Sequence, residues 1–324
     1  MEETKPLVSF IIPVYNVPAP MLRECVESIL GLSLRPFERE IIIIDDGSTN
    51  STLNDLGELA DGIIYMRQRN AGVSAARNLG LRMATGRFLQ FIDGDDRLVP
   101  APYEHVLDLL RYGQSDMVLF DFTARCPQPD SMLYDDHGPM AGCELLRTEN
   151  IHGSAWGYAF SRSIVGSLRF TPGVDYGEDE EFTPQLLLRA ESATRTTAQA
   201  YYYRQRPTSA TGTSSIRCHI RRLEDTKGVI IRLRKIADRL PTADRVAMQR
   251  RTAQLTMDYL YNIIVITRSS HYLERKIREL AKDGLFPLPD RDYTAKYTWF
   301  RRMTNSRVGR AVLMRSLTLI GKEK

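Results

Sequence analysis

Short apolar runs alternate with amphipathic segments over the first 121 residues of the chain. Runs rich in β-branched residues predict strands, and windows with an apolar residue every three or four positions predict helices. The predicted strands cover 7–14, 39–45, 62–67, 87–93 and 116–121, and the predicted helices cover 20–32, 51–60, 71–84 and 101–112. Each connection is long enough for a crossover helix, so we expect an α/β fold with a largely parallel sheet between helices.

The alternation breaks at about residue 122. Residues 122–152 carry turn-forming sequences such as Cys126-Pro127-Gln128-Pro129-Asp130, which predict a lid or an acceptor-side loop rather than regular structure. Apolar and aromatic residues at 155–160, and then Tyr201-Tyr202-Tyr203-Arg204, indicate that the sheet is completed there. Helical spacing dominates beyond residue 217.

Charge divides the chain at the same place. Residues 217–324 hold 25 Lys and Arg against 11 Asp and Glu, a net charge of +14, so residues 1–216 carry the remaining −10 of the overall +4. We therefore expect one domain over 1–216 and a basic helical region over 217–324.

Amino-acid composition restricts the classes of protein to which the chain can belong. Hydrophobic residues make up 43% of the chain and charged residues 26%, values typical of globular proteins, which argue against extensive disorder. The four cysteines lack C-x-x-C or zinc-like spacing, which predicts free thiols in a reducing compartment. The first residues lack the order of a secretory signal, and no run approaches the roughly 18 apolar residues that span a bilayer. We expect a cytoplasmic protein.

Carboxylates follow two of the predicted strands directly. Phe88-Leu89-Gln90-Phe91-Ile92 runs into Asp93-Gly94-Asp95-Asp96, and four isoleucines precede Asp45-Asp46. Carboxylates this close repel one another, and Mg²⁺ or Mn²⁺ would offset that repulsion while binding phosphate oxygens. The carboxyl ends of parallel strands meet at one edge, where ligands bind in open α/β sheets. The alternative is a solvated acidic turn, but two clusters at one edge favour a metal–diphosphate site.

Four motifs occur in a defined order in the first 100 residues. They are Val8–Asn16 (VSFIIPVYN), Ile44–Thr49 (IDDGST), Asn70–Asn78 (NAGVSAARN) and Asp93–Asp96 (DGDD). Their order and spacing closely resemble the inverting family 2 glycosyltransferases, and the resemblance covers about residues 6–210. It implies the GT-A fold, with a nucleotide-sugar half at about 1–121 and an acceptor half at about 122–216.

The resemblance implies a nucleobase site at the first two strand ends. Pro13 and Tyr15 would border the base, and Asp45 would accept a hydrogen bond from it. A tyrosine offers a flat face to a base, and a carboxylate can accept the imide N–H of uracil or thymine. We therefore expect a UDP- or dTDP-sugar donor.

The same resemblance assigns the acidic cluster to the ribose and the diphosphate. Asp93 and Asp95 would bind the donor, and Asp95 and Asp96 would hold Mg²⁺ or Mn²⁺. Arg77 lies on the helix predicted behind Asn70-Ala71-Gly72, from which its guanidinium could reach the diphosphate. The alternative for Arg77 is a solvated charge on a helix surface.

The catalytic base is expected at Asp179, because Glu178-Asp179 matches the E-D pair of the family. In an inverting displacement one carboxylate deprotonates the acceptor hydroxyl while a metal stabilises the departing diphosphate. Glu178 is expected on the acceptor side. The alternative is that the four acids at 178–181 simply complement a helix N-terminus.

Two further residues carry less specific signals. Trp156 matches an aromatic residue that the family places near the acceptor, and core packing is its alternative. The polar pair that usually follows is replaced by Gly157-Tyr158, so acceptor specificity does not carry over. His219 follows Thr211-Gly212-Thr213-Ser214-Ser215, which is a candidate mobile loop. Such a loop would bring a ring nitrogen of His219 to the metal or phosphate. The alternative is a surface histidine with no such role.

The C-terminal region combines basic and aliphatic residues at helical spacing. The basic residues are Arg301, Arg302, Arg307, Arg310 and Arg315, and the aliphatic ones are Val308, Val312, Leu313, Leu317 and Leu319. This pattern predicts contact with an anionic membrane surface, and the alternative is a helix packed on the catalytic domain. No RNA-binding or helix-turn-helix signature accompanies the charge, so nucleic acid is not expected as a partner.

The leading hypothesis is a metal-dependent transferase, hexosyl- or N-acetylhexosaminyl-type, acting at the inner face of the cytoplasmic membrane. Its acceptor would be a glycan or lipid-linked sugar of an exopolysaccharide or capsule. One alternative is an inactive GT-A-fold protein that binds glycan or membrane. Another is a sugar nucleotidylyltransferase, which would need an N-terminal Gly-rich loop where this chain has Pro13-Val14-Tyr15-Asn16.

Overall fold

The computed structural model describes residues 5–50, 52–125, 133–205 and 215–320. The chain divides into two compact units. Unit 1 comprises Met1–Leu145 with Ile151–Ser209, and unit 2 comprises Leu146–Asn150 with Ala210–Lys324. The turn sequence at 126–130, Cys126 included, and residues 211–214 of the candidate loop before His219 lie outside the described residues.

Unit 1 is built on one sheet, which has nine strands in the described part of the chain. In chain order they are β1 (Val8–Val14), β2 (Arg39–Asp45), β3 (Ile63–Arg67), β4 (Phe88–Phe91), β5 (Arg97–Leu98), β6 (Met117–Thr123), β7 (Asp136–Met140), β8 (Tyr158–Ser161) and β9 (Ala193–Tyr202). Across the sheet the order is β3-β2-β1-β4-β8-β6-β9-β5, and β7 pairs with β9.

The first half of the sheet is parallel, as predicted. Strands β3, β2, β1 and β4 pair in parallel, and the four isoleucines of β2 are all buried. The helices that connect this part of the chain are α1 (Ala19–Leu30), α2 (Thr52–Leu56), α3 (Val73–Met83) and α4 (Pro100–Tyr112). The predicted α/β class is therefore confirmed, with strand and helix bounds close to those expected.

The second half of the sheet is mixed and contains structure that the sequence pattern did not predict. β8 pairs antiparallel with β4 and β6, while β6 and β9 are parallel. Strand β7 and helix α5 (Gly142–Thr148) lie where a loop was expected, so that expectation was wrong for the described part of 122–152. β7 has the sequence DHGPM, with little strand propensity, and its pairing with β9 overrides that local preference. Helix α6 (Glu178–Leu187) precedes β9.

Unit 2 is helical in its described part. Its helices are α7 (Ile216–Ala237), α8 (Thr242–Thr267), α9 (Ser270–Lys282), α10 (Ala295–Asn305) and α11 (Arg307–Ile320). Helix α8 is central, because it packs against the other four. Its buried polar residues also bind the short segment 146–150: Arg250 Nη1 donates to the Glu149 carbonyl at 2.9 Å, and Gln254 Nε2 donates to Asn150 Oδ1 at 2.7 Å. None of the described helices has the length and apolar character needed to cross a bilayer.

The thiols of three cysteines are free in the described residues, namely Cys25, Cys143 and Cys218. Cys25 is buried beneath the acidic cluster, with its Sγ 3.9 Å from the Asp93 carbonyl. Burial raises the pKa of its thiol well above the ordinary value, and the nearby aspartates add to that effect.

Helix α3 approaches β1 so closely at Gly80 that a side chain does not fit. A Cβ there would lie 2.2 Å from Ile11 Cγ2. We expect Gly80→Ala to lower the free energy of unfolding by about 1–3 kcal/mol, because overpacking outweighs the roughly 1 kcal/mol gain in helix propensity. The measurement is urea unfolding followed by circular dichroism.

The same clash predicts coupling with Ile11. Adding Gly80→Ala to Ile11→Ala should cost less than adding it to the wild type, because the alanine methyl then fills part of the cavity. Gly228→Ala in α7 is the matched control, since its nearest contact is the flexible end of Arg232 at 3.2 Å. Additive effects of the two unit 1 substitutions would contradict the close approach.

Candidate active site

Three polar segments leave the parallel sheet at its carboxyl edge. Val14 pairs in register with Asp45, and Ile11 pairs with Phe91. The residues that follow β1, β2 and β4 therefore emerge along the same edge. Pro13 is buried within β1, whereas Tyr15 just beyond it is 55% exposed. An exposed aromatic ring here can stack on a planar ligand.

Asp45 is completely buried and held by hydrogen bonds. Its Oδ1 accepts from the Ser48 N–H at 2.7 Å, and its Oδ2 accepts from the Tyr65 hydroxyl at 2.6 Å. Burial opposes ionisation, but these bonds outweigh it and hold the pKa of Asp45 below its ordinary value. Asp45 is therefore a fixed carboxylate, and its contact with a nucleobase stays a prediction.

Asp46 has a structural role that the sequence pattern did not reveal. Its Oδ1 accepts from the Ala71 N–H at 2.9 Å, and its Oδ2 accepts from the Gly72 N–H at 2.8 Å. It thus fixes the turn that leads into α3. Two N–H groups just before a helix need an acceptor, and the second acid of the Asp45-Asp46 pair was the available signal.

Arg77 of α3 is a buried cation between two carboxylates. Its side chain is 5% exposed, its Nη1 donates to Glu178 Oε1 at 2.8 Å, and its Nη2 donates to Asp93 Oδ1 at 3.2 Å. The guanidinium also lies 5.3 Å from the centre of the Phe170 ring. Burial alone would lower the pKa of Arg77, but Asp93 and Glu178 outweigh that effect and raise it. The alternative of a solvated surface charge was therefore wrong.

The three aspartates after β4 occupy different environments. Asp93 is paired with Arg77, yet burial holds its pKa above the ordinary value. Asp96 is 1% exposed, and its carboxylate accepts from the Tyr201 hydroxyl at 2.9 Å and the Arg204 N–H at 2.7 Å. Burial, followed by the charge of Asp93, raises the pKa of Asp96 to about 8. Asp95 is only partly buried.

The acidic cluster has suitable oxygen donors for a hard divalent cation, but not a complete set of ligands. Within the described ranges, no three His, Cys, Asp or Glu side chains are grouped so that they could hold a metal ion. Mg²⁺ usually takes one or two carboxylates and completes its shell with substrate phosphates and water. The residues present thus fit a cation shared with a diphosphate. Asp95, being partly exposed, fits that role better than Asp96, which is buried.

Helix α6 begins at Glu178, directly after Gly177 in the left-handed conformation at φ 84°. Glu178 is 8% exposed and paired with Arg77, which links it to Asp93. Asp179 Oδ1 accepts from the Glu180 N–H at 2.8 Å. Burial raises the pKa of Asp179 well above its ordinary value, and the charges of Glu178 and Glu180 add to this. A raised pKa suits a general base, and the bond to Glu180 also fits the helix-terminus alternative.

The remaining two candidates lie in different units. Trp156 is 7% exposed, and its ring is stacked against Tyr201 at 4.4 Å and Tyr203 at 5.7 Å between centroids. This geometry favours the core-packing alternative for Trp156. His219 lies in α7 of unit 2, where its N–H donates to the Ser215 carbonyl at 3.1 Å, and its metal or phosphate role stays a prediction.

Replacing the buried Arg77 with an uncharged residue should destabilise the protein, because two buried carboxylates then lack their cation. We expect Arg77→Met to lower the free energy of unfolding by about 3–5 kcal/mol, because Asp93 and Glu178 lose their partner. The loss should be smaller at about pH 5 than at about pH 8, since both carboxyls have raised pKa values and can be protonated in the folded state. Urea unfolding at both pH values measures this.

Arg82→Met is the matched control, because Arg82 is an exposed arginine of the same helix. It should change stability by no more than about 0.5 kcal/mol. A loss in Arg77→Met that does not depend on pH would contradict the buried network.

Comparison with known proteins agrees with the resemblance predicted from the motifs. The sequence model for "Glycosyl transferase family 2" matches residues 9–166. The chain is 29% identical over 226 residues to the uncharacterized glycosyltransferase EpsJ of Bacillus subtilis, covering 64% of this chain and 63% of EpsJ. It is 28% identical over 217 residues to the glycosyltransferase GlyA of Streptococcus pneumoniae, covering 61% of this chain and 30% of GlyA. The chain thus spans less than two thirds of either relative.

Solved structures agree in fold. S. aureus TarS 1-349 in complex with UDP-GlcNAc aligns with a TM-score of 0.63 at 18% identity, over 97% of this chain and 90% of TarS 1-349. The mannosyltransferase PcManGT of Pyrobaculum calidifontis, in complex with GDP-Man and Mn²⁺, aligns with a TM-score of 0.57 at 17% identity, over 98% and 86%. These matches confirm the predicted GT-A-type α/β fold with a C-terminal helical extension. The predicted resemblance to the family 2 glycosyltransferases is therefore confirmed, and the family match covers residues 9–166.

Proposed function

We propose that this protein transfers a sugar from a nucleotide diphosphate sugar to a hydroxyl of a glycan or lipid-linked acceptor. One observation carries the proposal: Arg77 bridges the donor-side Asp93 and the base-side Glu178 within unit 1. Sugar transfer requires a site for the leaving diphosphate beside a base for the acceptor. The bridge supports such an arrangement, because it ties the acidic cluster to the start of α6.

The proposed donor is a UDP- or dTDP-sugar. Tyr15 would stack on the base, Pro13 would border it, and the ionised Asp45 would accept from its imide N–H. The TarS structure in complex with UDP-GlcNAc and the PcManGT structure in complex with GDP-Man support nucleotide-sugar binding in this fold, with different bases.

The proposed cofactor is Mg²⁺ or Mn²⁺, and the Mn²⁺ in the PcManGT complex supports this choice. Asp95 would hold the cation together with diphosphate oxygens, with Asp96 beside it. A cation bound there would stabilise the negative charge on the departing nucleoside diphosphate. Asp93, oriented by Arg77, would accept hydrogen bonds from the ribose.

Asp179 is the proposed general base. Its carboxylate would take the proton of the acceptor hydroxyl as that oxygen bonds to the anomeric carbon, while the bond from that carbon to the diphosphate oxygen breaks. Attack from the face opposite the diphosphate inverts the anomeric configuration. The raised pKa of Asp179 gives the ionised carboxylate a higher proton affinity, which favours this transfer.

The proposed biological role is surface polysaccharide synthesis on the cytoplasmic side of the membrane. GgaB of Bacillus subtilis, a minor teichoic acid biosynthesis protein, is 24% identical to this chain over 206 residues and supports that role. The competing proposals are an inactive glycan- or membrane-binding protein of this fold and a sugar nucleotidylyltransferase.

Substitution of the proposed metal-binding residue Asp95 and of the proposed base Asp179 should separate donor binding from the chemical step. We expect UDP release from a UDP-sugar to require Mn²⁺ or Mg²⁺ and to fall about 10²–10⁴-fold in Asp179→Asn, with stabilisation by UDP and Mn²⁺ retained. Asp95→Ala should lose that metal-dependent stabilisation. The wild-type rate should rise with pH through an inflection above the usual carboxylate range, because Asp179 must be ionised to accept a proton.

Glu191→Gln, which changes an exposed acid of unit 1, is the control and should behave as wild type. Full turnover of Asp179→Asn with a verified acceptor would refute the base assignment. Donor binding without any turnover would favour an inactive binding protein. Pyrophosphate release from a nucleoside triphosphate and a sugar phosphate would favour a nucleotidylyltransferase.

A membrane surface is a second candidate partner, through one face of α11. Leu313 is fully buried, and Arg310 Nε donates to Glu274 Oε1 at 2.6 Å, so part of this helix packs within unit 2. Val308 and Val312, one turn apart, are 75% and 47% exposed. Arg315 continues this exposed face. Exposed valines beside basic residues support shallow contact with an anionic bilayer.

The double variant Val308→Asp/Val312→Asp should cosediment less with anionic phospholipid vesicles while binding UDP and Mn²⁺ normally, because the carboxylates repel the surface. Tyr112→Asp is the control, since Tyr112 is an exposed hydrophobic residue of unit 1. Deleting the C-terminal helices would be less informative, as it also removes the buried Phe300 and Leu313. Equal cosedimentation of wild type and double variant would exclude this face.

A further inference from the structure

A short segment of unit 1, Ile151–Trp156, is fixed against the first turns of α6. The Gly153 carbonyl accepts from Thr183 Oγ1 at 2.7 Å. The Tyr158 hydroxyl at the start of β8 lies 2.8 Å from the same Thr183 oxygen, so the segment and the strand that follows it are both tied to the helix. His152 and Gly153 are thereby held beside the helix that carries Asp179.

Gly153 leaves room for the carboxylate of Glu180. A Cβ at Gly153 would lie 2.1 Å from Glu180 Oε2 and 2.2 Å from its Cδ, so any side chain there would displace the carboxylate. Gly153 is not among the glycines with positive φ, so its backbone does not require glycine. Space is therefore the reason for glycine at this position. The Glu180 carboxylate therefore lies over Gly153. Glu180 directly follows Asp179 in the chain, and Gly153 directly follows His152.

The imidazole of His152 is an exposed aromatic surface with a fixed orientation. Its Nδ1 lies 2.5 Å from Ser154 Oγ, and its ring centroid is 5.1 Å from Phe122 and 5.6 Å from Trp156. His152 is exposed, whereas Trp156 behind it is buried. Trp156 thus supports the ring of His152 instead of offering its own face.

We propose that His152 and Glu180 form a subsite for the acceptor, which takes a neutral pyranose ring. This inference rests on the proposed glycosyltransferase function and assigns acceptor contacts to residues that the family motifs do not cover. The C–H face of the sugar packs on the outer face of the imidazole, and a ring hydroxyl donates to the Glu180 carboxylate.

The charge around the subsite favours a neutral sugar over a phosphate-linked polyol. Asp179 and Glu180 are consecutive acids in the first turn of α6, and Glu178 before them is already paired with Arg77. A phosphodiester placed beside Glu180 would meet like charge at short range. A pyranose offers both a surface for the ring and hydroxyl donors for the carboxylate, so it matches both features of the subsite.

Fluorescence of Trp156 provides a direct test on the 324-residue chain. The chain has two tryptophans, so Trp299→Phe leaves Trp156 as the reporter behind His152. Methyl pyranosides of glucose, galactose and N-acetylglucosamine are titrated with and without UDP and Mn²⁺, and ribitol phosphate is the acyclic probe. We expect a saturable change with at least one pyranoside and none with ribitol phosphate.

Three variants identify the contacts. His152→Ala and Glu180→Gln should weaken pyranoside binding about tenfold, the loss expected for one stacking contact or one charge-assisted hydrogen bond. Gly153→Ala should do the same, because its methyl displaces only the flexible end of Glu180. Gly31→Ala is the matched control: its Cβ would lie 3.4 Å from the Glu27 carbonyl, an ordinary contact, and binding should be unchanged.

Equal pyranoside binding in Gly153→Ala and wild type would overturn the role of Glu180, and an equal response to ribitol phosphate would overturn the pyranose assignment. A lack of response to every pyranoside would overturn the subsite. Thermal stabilisation by UDP-sugar and Mn²⁺, measured on the same variants, reports separately on the proposed function, because these variants leave the proposed donor residues unchanged.

Discussion

The buried ion pairs of Arg77 are the interaction on which the candidate site depends. A guanidinium without water around it is costly unless carboxylates face it, and Asp93 and Glu178 do so from separate segments of the chain. Each carboxylate would be costly there without the cation. The three residues therefore require one another, and together they fix the end of β4 relative to the start of α6. The acid cluster and the candidate base owe their mutual position to this requirement.

Sequence patterns predicted the parallel half of the fold well, because strands buried on both faces leave long β-branched runs. The four isoleucines of β2 show this. The mixed half was harder to predict. β7 has almost no strand character of its own, and only its partner β9 makes it a strand. Local propensity fails where tertiary pairing decides the conformation.

Motif order predicted a set of candidate residues for the site but not the interactions among them. Motif order brought Asp45, Asp93, Asp95 and Asp179 into consideration. It did not reveal that Arg77 is buried, because an arginine on a helix is usually solvated and its partners lie 16 and 101 residues away. It also did not reveal that Trp156 is covered by Tyr201. The sequence alone does not distinguish an aromatic residue that binds a ligand from one that packs in the core.

The path of the chain between the two units has a practical consequence. Residues 146–150 belong to unit 2, although they interrupt the sequence of unit 1, and the side chains of Arg250 and Gln254 satisfy their polar groups. A truncated chain that ends at the charge boundary near residue 216 would keep this segment but lose α8. The Glu149 carbonyl and the Asn150 side chain would then lack those partners. Each compact unit is made of two separate stretches of the chain, so neither unit can be expressed as an uninterrupted stretch of sequence.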